Sequence, residues 1–576
     1  MLLRGTGSLK ELDNRMSYST VSSEEPVRTL IDELLEEQGA LTAVERFSQR
    51  HEACEIPTQA QFYKDLLPAR EPGPGQQFAF SVDLDKCSAC KGCVTACHNL
   101  NGLEEEETWR SVGTIVGEVA GMSEQKTVTT ACHHCVDPGC MNGCPVLAYE
   151  KDEVTGIVRH LDDQCIGCEY CVMKCPYEVP QYSESKGIVR KCDMCYSRLA
   201  EGEAPACVQA CPNEAIAISI VDQGEILEST SIGDEVVAGA PDSTITVPTT
   251  QFQSDVETET FSPVDQWVVE PSKAHVPLEL MLVMTQWGVG GFILAGLLML
   301  NAANSKLAGW VDGFSFGIFG LGLAASVLHL GQPLKAWRVF LGWRKSWLSR
   351  EAMAFGAFLL PGMLAALASV TVVHPTLINV EWIQSIAESS ASLLRWSAAL
   401  VGAFAVWCSV MVYVDTKKEV WSMGRVTWRF IGSSVVGMAQ IGLCAFSIGT
   451  LVHGVSGQLI MWVLSIAAVL ANALKLFYEA SDLIRVNDAD WNVFRKVAVL
   501  YSGVLSKWWN ARLALTVIGG CALPLLGAVA ASTSYGVLSL FIFSLGAVLN
   551  LLGELAERHL FFVSSPAPKM PGAIVS

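Results

Sequence analysis

The sequence predicts an α+β domain followed by an all-α bundle of eight transmembrane helices. Three observations lead to this prediction. Sixteen of the 20 cysteines lie between residues 87 and 211. Residues 1–275 carry 45 acidic and 20 basic residues, whereas residues 276–576 carry 13 acidic and 19 basic ones. Eight apolar stretches follow one another in the second half. The chain therefore joins an acidic, hydrophilic part to a basic, apolar part, and the acidic front half argues against nucleic-acid binding.

The sixteen clustered cysteines form four groups of four. These are Cys87, Cys90, Cys93 and Cys97; Cys132, Cys135, Cys140 and Cys144; Cys165, Cys168, Cys171 and Cys175; and Cys192, Cys195, Cys207 and Cys211. The third group has the spacing C-x2-C-x2-C-x3-C-P of bacterial ferredoxins, in which three cysteines bind one cubane and the fourth binds the other cluster of a pair. Groups two to four end in Cys-Pro, whereas group one ends in Cys97-His98. Four such groups predict four [4Fe–4S] clusters in a ferredoxin-like domain with two pseudo-symmetric cluster pairs.

Zinc and disulfides are the two alternatives for these cysteines. Four thiolates also bind tetrahedral zinc, but zinc sites use two separated C-x2-C hooks rather than three cysteines within seven residues. Disulfides fit poorly, because sulfurs so close on a tight turn surround a common point. Iron–sulfur clusters are therefore favoured. Cys54 has no partner group, and His133 and His134 are expected to form local hydrogen bonds rather than to bind metal.

The front half contains no motif for bond-making chemistry, such as a dinucleotide-binding glycine motif, a P-loop or a nucleophile elbow. It is therefore predicted to conduct electrons. We divide the chain into an N-terminal helical extension (1–75), a four-cluster domain (76–225), an extended acidic linker (226–276) and a membrane domain (277–576). Apolar residues at three-four spacing predict an amphipathic helix within residues 27–35.

The apolar stretches mostly reach the roughly 20 residues needed to cross a bilayer. They lie near residues 278–303, 313–331, 351–373, 393–414, 430–452, 459–480, 512–532 and 534–557. The loops on the side of the four-cluster domain contain fourteen cations: Lys335, Arg338, Arg344, Lys345, Arg350, Lys417, Lys418, Arg425, Arg429, Arg485, Arg495, Lys496, Lys507 and Arg512. The other side contains Lys306 and Arg395. The positive-inside rule thus predicts a multi-pass protein of the bacterial inner membrane, with the iron–sulfur domain in the cytoplasm. Residues 1–50 contain no arginine-led apolar run, so no export signal is expected.

Two ionisable residues stand at the same membrane depth on the side of the clusters. His329 ends the second apolar stretch in SVLHLGQPLKAW, and Glu351 begins the third in SREAMAFG. An ionisable residue at a helix end is often only a surface group. A histidine and a carboxylate beside an electron-transfer domain are also what quinol oxidation needs, because they hydrogen-bond the head group and accept its protons. Pairs of histidines deep in facing helices are missing from the sequence, so no haem is expected.

The four-group pattern, with its eleven-residue gap between Cys195 and Cys207, resembles the iron–sulfur subunit of the dimethyl sulfoxide reductase family of molybdoenzymes. The back half resembles the membrane anchor subunit of that family in VPLELMLVMTQWGVGGFIL, HLGQPLKAW, SREAMAFG and LLGELAERHLFF, in this order. The resemblance covers about residues 78–576 and implies a fusion of two subunits that are normally separate. Residues 1–75 have no counterpart in it.

The resemblance implies crossed cluster ligation. The implied sets are Cys87, Cys90, Cys93 and Cys211; Cys192, Cys195, Cys207 and Cys97; Cys132, Cys135, Cys140 and Cys175; and Cys165, Cys168, Cys171 and Cys144. Nitrate-reductase relatives have Trp in place of one ligand of the third group, giving a three-iron cluster. Because Cys168 is present here, four four-iron clusters are implied. His329 and Glu351 look like the menaquinol-site His and Glu of the anchor family.

The resemblance implies an electron-transfer and membrane-anchor subunit that oxidises menaquinol or another quinol of the membrane pool. Its electrons would pass through the four clusters to a molybdopterin-containing catalytic subunit that reduces an oxyanion or an S- or N-oxide. Two alternatives stay open. The same path could run in reverse and reduce quinone from a dehydrogenase partner such as formate dehydrogenase, or the membrane domain could be a passive anchor fed by a soluble donor. The chain itself is not expected to act on the terminal substrate.

Overall fold

The structure is a computed structural model. It describes residues 62–572 except 302–303, 374–379, 455–456, 534–535 and 567–568, and before residue 62 it describes only Thr29, Leu30, Ile31, Glu36, Glu45 and Ala60. Most of the helix expected within residues 27–35 therefore lies outside the described residues, and so does Cys54.

The front domain is built from short strands and short helices. In chain order they are β1 (Gln76–Asp83), α1 (Gly92–Asn101), β2 (Ser111–Val119), β3 (Met122–Thr130), α2 (Gly139–Gly143), β4 (Tyr149–Lys151), β5 (Val158–His160), α3 (Tyr170–Lys174), β6 (Gln181–Ser183), β7 (Ile188–Arg190), α4 (Tyr196–Ala200), α5 (Ala206–Gln209), β8 (Ile216–Asp222), α6 (Gln223–Ser229), β9 (Gln251–Gln253) and β10 (Ser262–Pro263). Phe80 and Val82 of β1 are buried, as are Ile115 of β2 and Val128 of β3. Side chains at alternate positions face opposite sides of a strand. Because Ala79 is buried as well as Phe80, β1 is covered on both faces.

Two three-stranded sheets organise these elements. In the first, β1 lies between β8, which is antiparallel to it from Gln76↔Asp222 onward, and β9, which is parallel. In the second, β2 and β3 form a hairpin that turns at Ala120 and Gly121, whose positive φ angles suit a two-residue hairpin turn. Strand β10 completes this sheet. Because β9 and β10 belong to residues 226–276, the segment expected to be an extended linker adds one edge strand to each sheet.

Within the described residues, eight helices are long and apolar enough to cross a membrane. The helices of the back half are α7 (Val276–Leu298), α8 (Ser305–Val327), α9 (Trp347–Val373), α10 (Glu381–Val414), α11 (Met423–His453), α12 (Gln458–Ile484), α13 (Val493–Ser502), α14 (Ser506–Leu515), α15 (Leu523–Ser532) and α16 (Gly536–Val563). A π-helical turn (Thr516–Ala522) joins α14 and α15 into the seventh span, and the short α13 is not a span. The predicted α+β domain with an eight-helix membrane bundle is confirmed.

Some details of the bundle differ from the sequence prediction. Helix α10 begins at Glu381, well before the apolar stretch at 393–414. Seven of the fourteen cations expected in loops lie inside α-helices: Arg350, Arg425, Arg429, Arg495, Lys496, Lys507 and Arg512. Three of these are the arginines Arg425 and Arg429 in α11 and Arg512 in α14. They are accommodated there because they face acidic residues of neighbouring helices rather than lipid. These three arginines are therefore not loop cations and carry less weight in the positive-inside argument.

A buried ion cluster holds four of these spans together. It consists of Lys475 and Glu479 on α12, Arg512 on α14 and Glu554 on α16, none of them more than 2% exposed. Lys475 Nζ lies 2.5 Å from Glu554 Oε2, and Arg512 bridges to Glu554 at 3.0 Å and to Glu479 at 3.1 Å. Ser433 on α11 donates to Glu554 Oε2 at 2.6 Å. Charges inside a bilayer are tolerated only when they are paired in this way.

Candidate functional site

The sixteen cysteines lie in four compact sets in the front domain. Three sets each line a cavity: Cys87, Cys90, Cys93 and Cys211; Cys132, Cys135, Cys140 and Cys175; and Cys144, Cys165, Cys168 and Cys171. The fourth set is formed by Cys97, Cys192, Cys195 and Cys207, whose side chains lie close enough to interact electrostatically. Each set thus takes three cysteines from one sequence group and the fourth from another.

The same hydrogen bonds from backbone amides to cysteine sulfurs recur in different sets. The amides four residues after Cys144 and Cys211 both donate to the Sγ of those cysteines at 3.2 Å. The amides two residues after Cys165 and Cys192 both donate to Sγ at 3.4 Å. The loops reverse direction through residues with positive φ, which occur in every group: Ala89, Lys91, His134, Gly167, Glu169, Met194 and Cys195. The repeated hydrogen bonds relate the end of the second group to the end of the fourth, and the start of the third group to the start of the fourth.

Two buried cations lie among the cysteines. Arg110 is 2% exposed, and its Nε and Nη2 have no hydrogen-bond partner among the described residues. Its charge acts on the fourth set and on Cys93. Lys191 is 3% exposed, and its Nζ lies 3.6 Å from Cys132 Sγ and donates to the Cys192 carbonyl at 2.8 Å. A buried cation is costly without an anionic partner, so these positions call for negative charge on the sulfurs.

The thiols alone do not supply that charge. Burial raises the pKa of Cys97 to about 12 and the pKa values of Cys144 and Cys175 to about 11, because a buried thiolate loses its hydration. Free thiols at these positions would therefore be neutral at pH 7. Cysteines bound to a metal are deprotonated, and thiolates held by iron would be the anionic partners of Arg110 and Lys191. The residues present thus fit iron–sulfur clusters.

The two histidines of the second group line the same cavity as its cysteines. Nδ1 of His134 accepts a hydrogen bond from the Val158 amide at 3.0 Å. The His133 ring packs edge-on against Tyr177, with 4.4 Å between the ring centroids, and both of its nitrogens are buried without a partner among the described residues. His134 thus forms a local hydrogen bond, whereas His133 makes an aromatic contact.

The third cysteine group lies against the membrane bundle. The front domain and the bundle pack together as one compact unit. The Tyr170 hydroxyl donates to the carbonyl of Val412 on α10 at 2.8 Å, and the Gln332 amide donates to the carbonyl of Ile166 at 3.0 Å. The set that contains Cys168 is therefore the one next to the membrane helices.

Three glycines make this contact close. Gly167 and Gly187 belong to the front domain, and Gly331 belongs to the loop after α8. A Cβ atom at Gly331 would lie 2.2 Å from the Gly187 carbonyl oxygen, and one at Gly167 would lie 2.4 Å from the same atom. Gly167 and Gly187 also have positive φ values. We call this contact the glycine seat; it brings the backbones together only because side chains are absent there.

A cavity of about 260 Å³ lies beside the glycine seat, between the third group and the bundle. Its wall is mostly apolar. The lining residues that matter here are Cys168 and Tyr170 of the front domain, His329, Glu351 and Phe355 of the α8–α9 region, and Tyr413 of α10. Cys168 lines both this cavity and the cavity of its own cysteine set. An occupant of the membrane-side cavity would therefore lie against Cys168.

The structure brings His329 and Glu351 to this one cavity. Nε2 of His329 is buried and has no hydrogen-bond partner among the described residues. Burial lowers the pKa of His329, so its ring is neutral at pH 7. Glu351 is 3% exposed, and one of its oxygens accepts a hydrogen bond from the Ser409 hydroxyl. Glu351 is therefore buried, and His329 is half-buried.

Sequence reasoning missed three residues near this cavity. Ser409 is one hydroxyl in an apolar stretch, and nothing in its spacing marks it. Tyr170 lies within the third cysteine group, where the cysteines dominate the pattern. His275 directly precedes α7, and its ring lies edge-on to His329 with 5.2 Å between the ring centroids. Its place at the near end of a membrane span, like that of His329, was the signal that could have identified it.

Comparison with known proteins agrees with both halves of this architecture. The family described as 4Fe-4S dicluster domain matches residues 124–221. The family described as DMSO reductase anchor subunit (DmsC) matches residues 272–563, just over half of the chain. The chain belongs to the dimethyl sulfoxide reductase family. It is a fusion of an iron–sulfur electron-transfer subunit with the membrane anchor subunit of that family, and it is a multi-pass membrane protein.

Similar relatives match the front half of this fusion. The B subunit of the anaerobic dimethyl sulfoxide reductase of Escherichia coli is 40% identical over 155 residues, which are 26% of this chain and 75% of the relative. The protein with the same name from Haemophilus influenzae is 35% identical over 182 residues, 30% of this chain and 87% of the relative. Thiosulfate reductase electron transfer subunit PhsB of Salmonella typhi is 35% identical over 153 residues, 26% of this chain and 79% of the relative. All three names describe subunits of reductases.

Proposed function

We propose that this fused subunit oxidises a quinol of the membrane pool, with menaquinol as the expected form, and delivers its electrons to a molybdopterin-containing catalytic subunit. The sixteen cysteines hold four [4Fe–4S] clusters in the four sets described above. The observation that carries the proposal is the position of Cys168, which lines both a cysteine cavity and the cavity containing His329 and Glu351. A quinol head group in that cavity would be next to a cluster ligand.

The residues around the cavity suit the two tasks of a quinol site. A bound [4Fe–4S] cluster supplies a one-electron carrier. The chain must therefore bind the quinol head and accept its protons. Nε2 of His329 is free to hydrogen-bond one hydroxyl, and the Glu351 carboxylate, oriented by Ser409, can accept a proton. The apolar wall, including Phe355, suits the quinone ring.

Quinol-driven cluster reduction tests this function directly. Membranes containing the iron-loaded chain, without a catalytic partner, are mixed under argon with a reduced menaquinol analogue. Electron paramagnetic resonance then follows the clusters. We expect reduction of the clusters by the quinol, and loss of that reduction with a quinone-site inhibitor. A chain whose clusters respond only to dithionite would be a passive anchor, and cluster potentials well below that of the quinone would favour the reverse direction.

The names of the three relatives described above support a reductase as the partner. Two of them belong to dimethyl sulfoxide reductase and one to thiosulfate reductase. We therefore propose an S- or N-oxide or oxyanion reductase, whose molybdenum should copurify with this chain in a fixed ratio. Purification of the native complex without molybdenum would contradict this partner.

Membrane orientation gives a separate prediction. We propose that the front domain lies in the cytoplasm of a bacterium, because cations such as Lys335, Arg338, Lys417 and Lys418 lie in loops on its side of the bundle. A reporter that is active only in the cytoplasm should be active when fused after residue 576. It should be inactive when inserted between α9 and α10, at residues 374–380. The reverse pattern would place the clusters outside the cytoplasm.

Removal of a buried cation from the front domain should change the cluster potentials. Lys191→Gln removes a positive charge beside Cys132, so adding an electron nearby becomes less favourable. We expect the midpoint potential of at least one cluster to fall by on the order of 100 mV, as for a charge at ~7 Å in a medium of effective permittivity about 20. An EPR-monitored redox titration measures this shift. Lys306→Gln, which changes an exposed lysine at the start of α8, the end of that helix that lies away from the front domain, is the control and should leave all potentials unchanged.

A further inference from the structure

Three side chains of types that bind metal ions meet next to the proposed quinol cavity, which His329 also lines. The proposed electron transfer does not use them as a group. A ring nitrogen of His275, a ring nitrogen of His329 and a carboxylate oxygen of Glu169 all lie within 4.8 Å of one another. Each residue is half-buried. They come from three separate segments: the loop before α3, the residue before α7 and the loop after α8.

The types of donor in this group are those of a transition-metal site. Two imidazoles and one carboxylate form a ligand set that zinc accepts, with its fourth position left to water. Tetrahedral zinc with bonds of about 2.0–2.1 Å places its ligand atoms roughly 3.4 Å apart. The three atoms observed within 4.8 Å of one another therefore need only small side-chain rotations. Nε2 of His329 is buried and lacks a partner among the described residues.

The surroundings are compatible with a bound cation. Lys273 and Lys418 are the cations that act on His275. Lys273 is largely exposed, and its ammonium lies 3.6 Å from the Glu184 carboxylate, so water and a counter-charge screen it. The His329 ring also interacts with the backbone of Cys168. A hydrogen bond from the second ring nitrogen to the backbone commonly orients a metal-binding histidine.

We propose that Glu169, His275 and His329 form a regulatory site for a divalent transition metal ion such as Zn²⁺. Metal bound there holds the His329 ring and removes it from the quinol hydroxyl, so quinol oxidation stops while the metal is bound. The inhibitory effect rests on the proposed quinol site. The binding of metal does not, and it is measured separately.

The binding experiment uses the purified, iron-loaded chain and Zn²⁺ alone. We expect one Zn²⁺ per chain in addition to the iron, with X-ray absorption showing nitrogen and oxygen ligands at about 2.0–2.1 Å and no sulfur at about 2.3 Å. His275→Ala and Glu169→Gln should each lose this ion. Glu153→Gln, which changes an exposed carboxylate between β4 and β5 of the same domain, should keep it. Sulfur ligands, or equal binding by His275→Ala, would refute the site.

The functional experiment measures quinol-driven cluster reduction with and without Zn²⁺. We expect Zn²⁺ to inhibit the wild type and the Glu153→Gln variant. His275→Ala should react at the wild-type rate without Zn²⁺ and should resist Zn²⁺, because His275 is not needed by the quinol. Mg²⁺, which prefers oxygen ligands, should have no effect. Equal inhibition of wild type and His275→Ala would overturn the regulatory role, whereas a wild type that quinol cannot reduce would refute the proposed function and leave the binding result standing.

Discussion

Glu351→Gln and His329→Leu are each expected to slow quinol-driven reduction of the iron–sulfur clusters at least about 100-fold, the usual contribution of a positioned acid–base group. Glu351 is the carboxylate of the cavity that can accept a quinol proton, and Gln keeps its size but not its basicity. His329 offers its unpartnered Nε2 to the other hydroxyl, and Leu offers no hydrogen bond. The electrons cannot leave the quinol unless its protons leave as well.

The measurement is stopped-flow absorbance of the clusters after mixing with a menaquinol analogue. Both variants should contain the same iron as the wild type and should be reduced normally by dithionite, because neither residue is one of the sixteen cysteines proposed to bind iron. Glu388→Gln, which changes an exposed carboxylate of α10, is the matched control. Wild-type rates in both variants would mean that quinol binds elsewhere in the bundle.

Glu554→Gln is expected to destabilise the membrane domain by about 3–5 kcal/mol, because it leaves Lys475 and Arg512 buried without their shared carboxylate. An apparent melting temperature lower by on the order of 10 °C should follow. The double variant Glu554→Leu with Lys475→Met removes both members of the closest pair and leaves Arg512 its contact with Glu479. It should therefore be more stable than Glu554→Gln.

These differences in melting temperature are measured by heating the detergent-solubilised protein and determining the fraction that stays monodisperse. Glu388→Gln again serves as the control and should melt with the wild type. A double variant that melts below Glu554→Gln would show that the buried ion cluster stabilises the bundle through more than paired charge. If Glu554→Gln melts at the same temperature as the wild type, the stability of the surrounding helices does not depend on the buried ion cluster.

The sequence predicted those features that depend on local spacing. The C-x2-C turns, such as that from Cys165 to Cys168, are set by residues within a few positions of one another, and a membrane span is set by some 20 consecutive apolar residues. A hydropathy average over a stretch of sequence counts a charged residue as polar even where an oppositely charged residue of another helix neutralises it. Such an average therefore shortened α10, which begins with polar residues from Glu381, and assigned Arg512 to a loop although that residue pairs inside the bundle.

The candidate cavity was less predictable, because it depends on contacts between distant segments. His329 and Glu351 are near each other in sequence, and their helix-end positions identified both. Ser409 reaches Glu351 only because α10 packs against α9. His275 reaches His329 only because α7 begins beside the loop after α8. The edge strands β9 and β10 depend in the same way on partners more than 100 residues away.

The glycine seat has a consequence for assembly, because both of its sides belong to one polypeptide. Tethering raises the effective concentration of one side at the other to roughly the millimolar range for a short linker. A weak contact is then sufficient for full occupancy, and the stoichiometry is always one to one. Gly331→Val should therefore leave every chain with its electron-transfer domain attached, although the domain would be held slightly away from the bundle. If the two halves were separate polypeptides, the same change would instead release the electron-transfer half from the membrane.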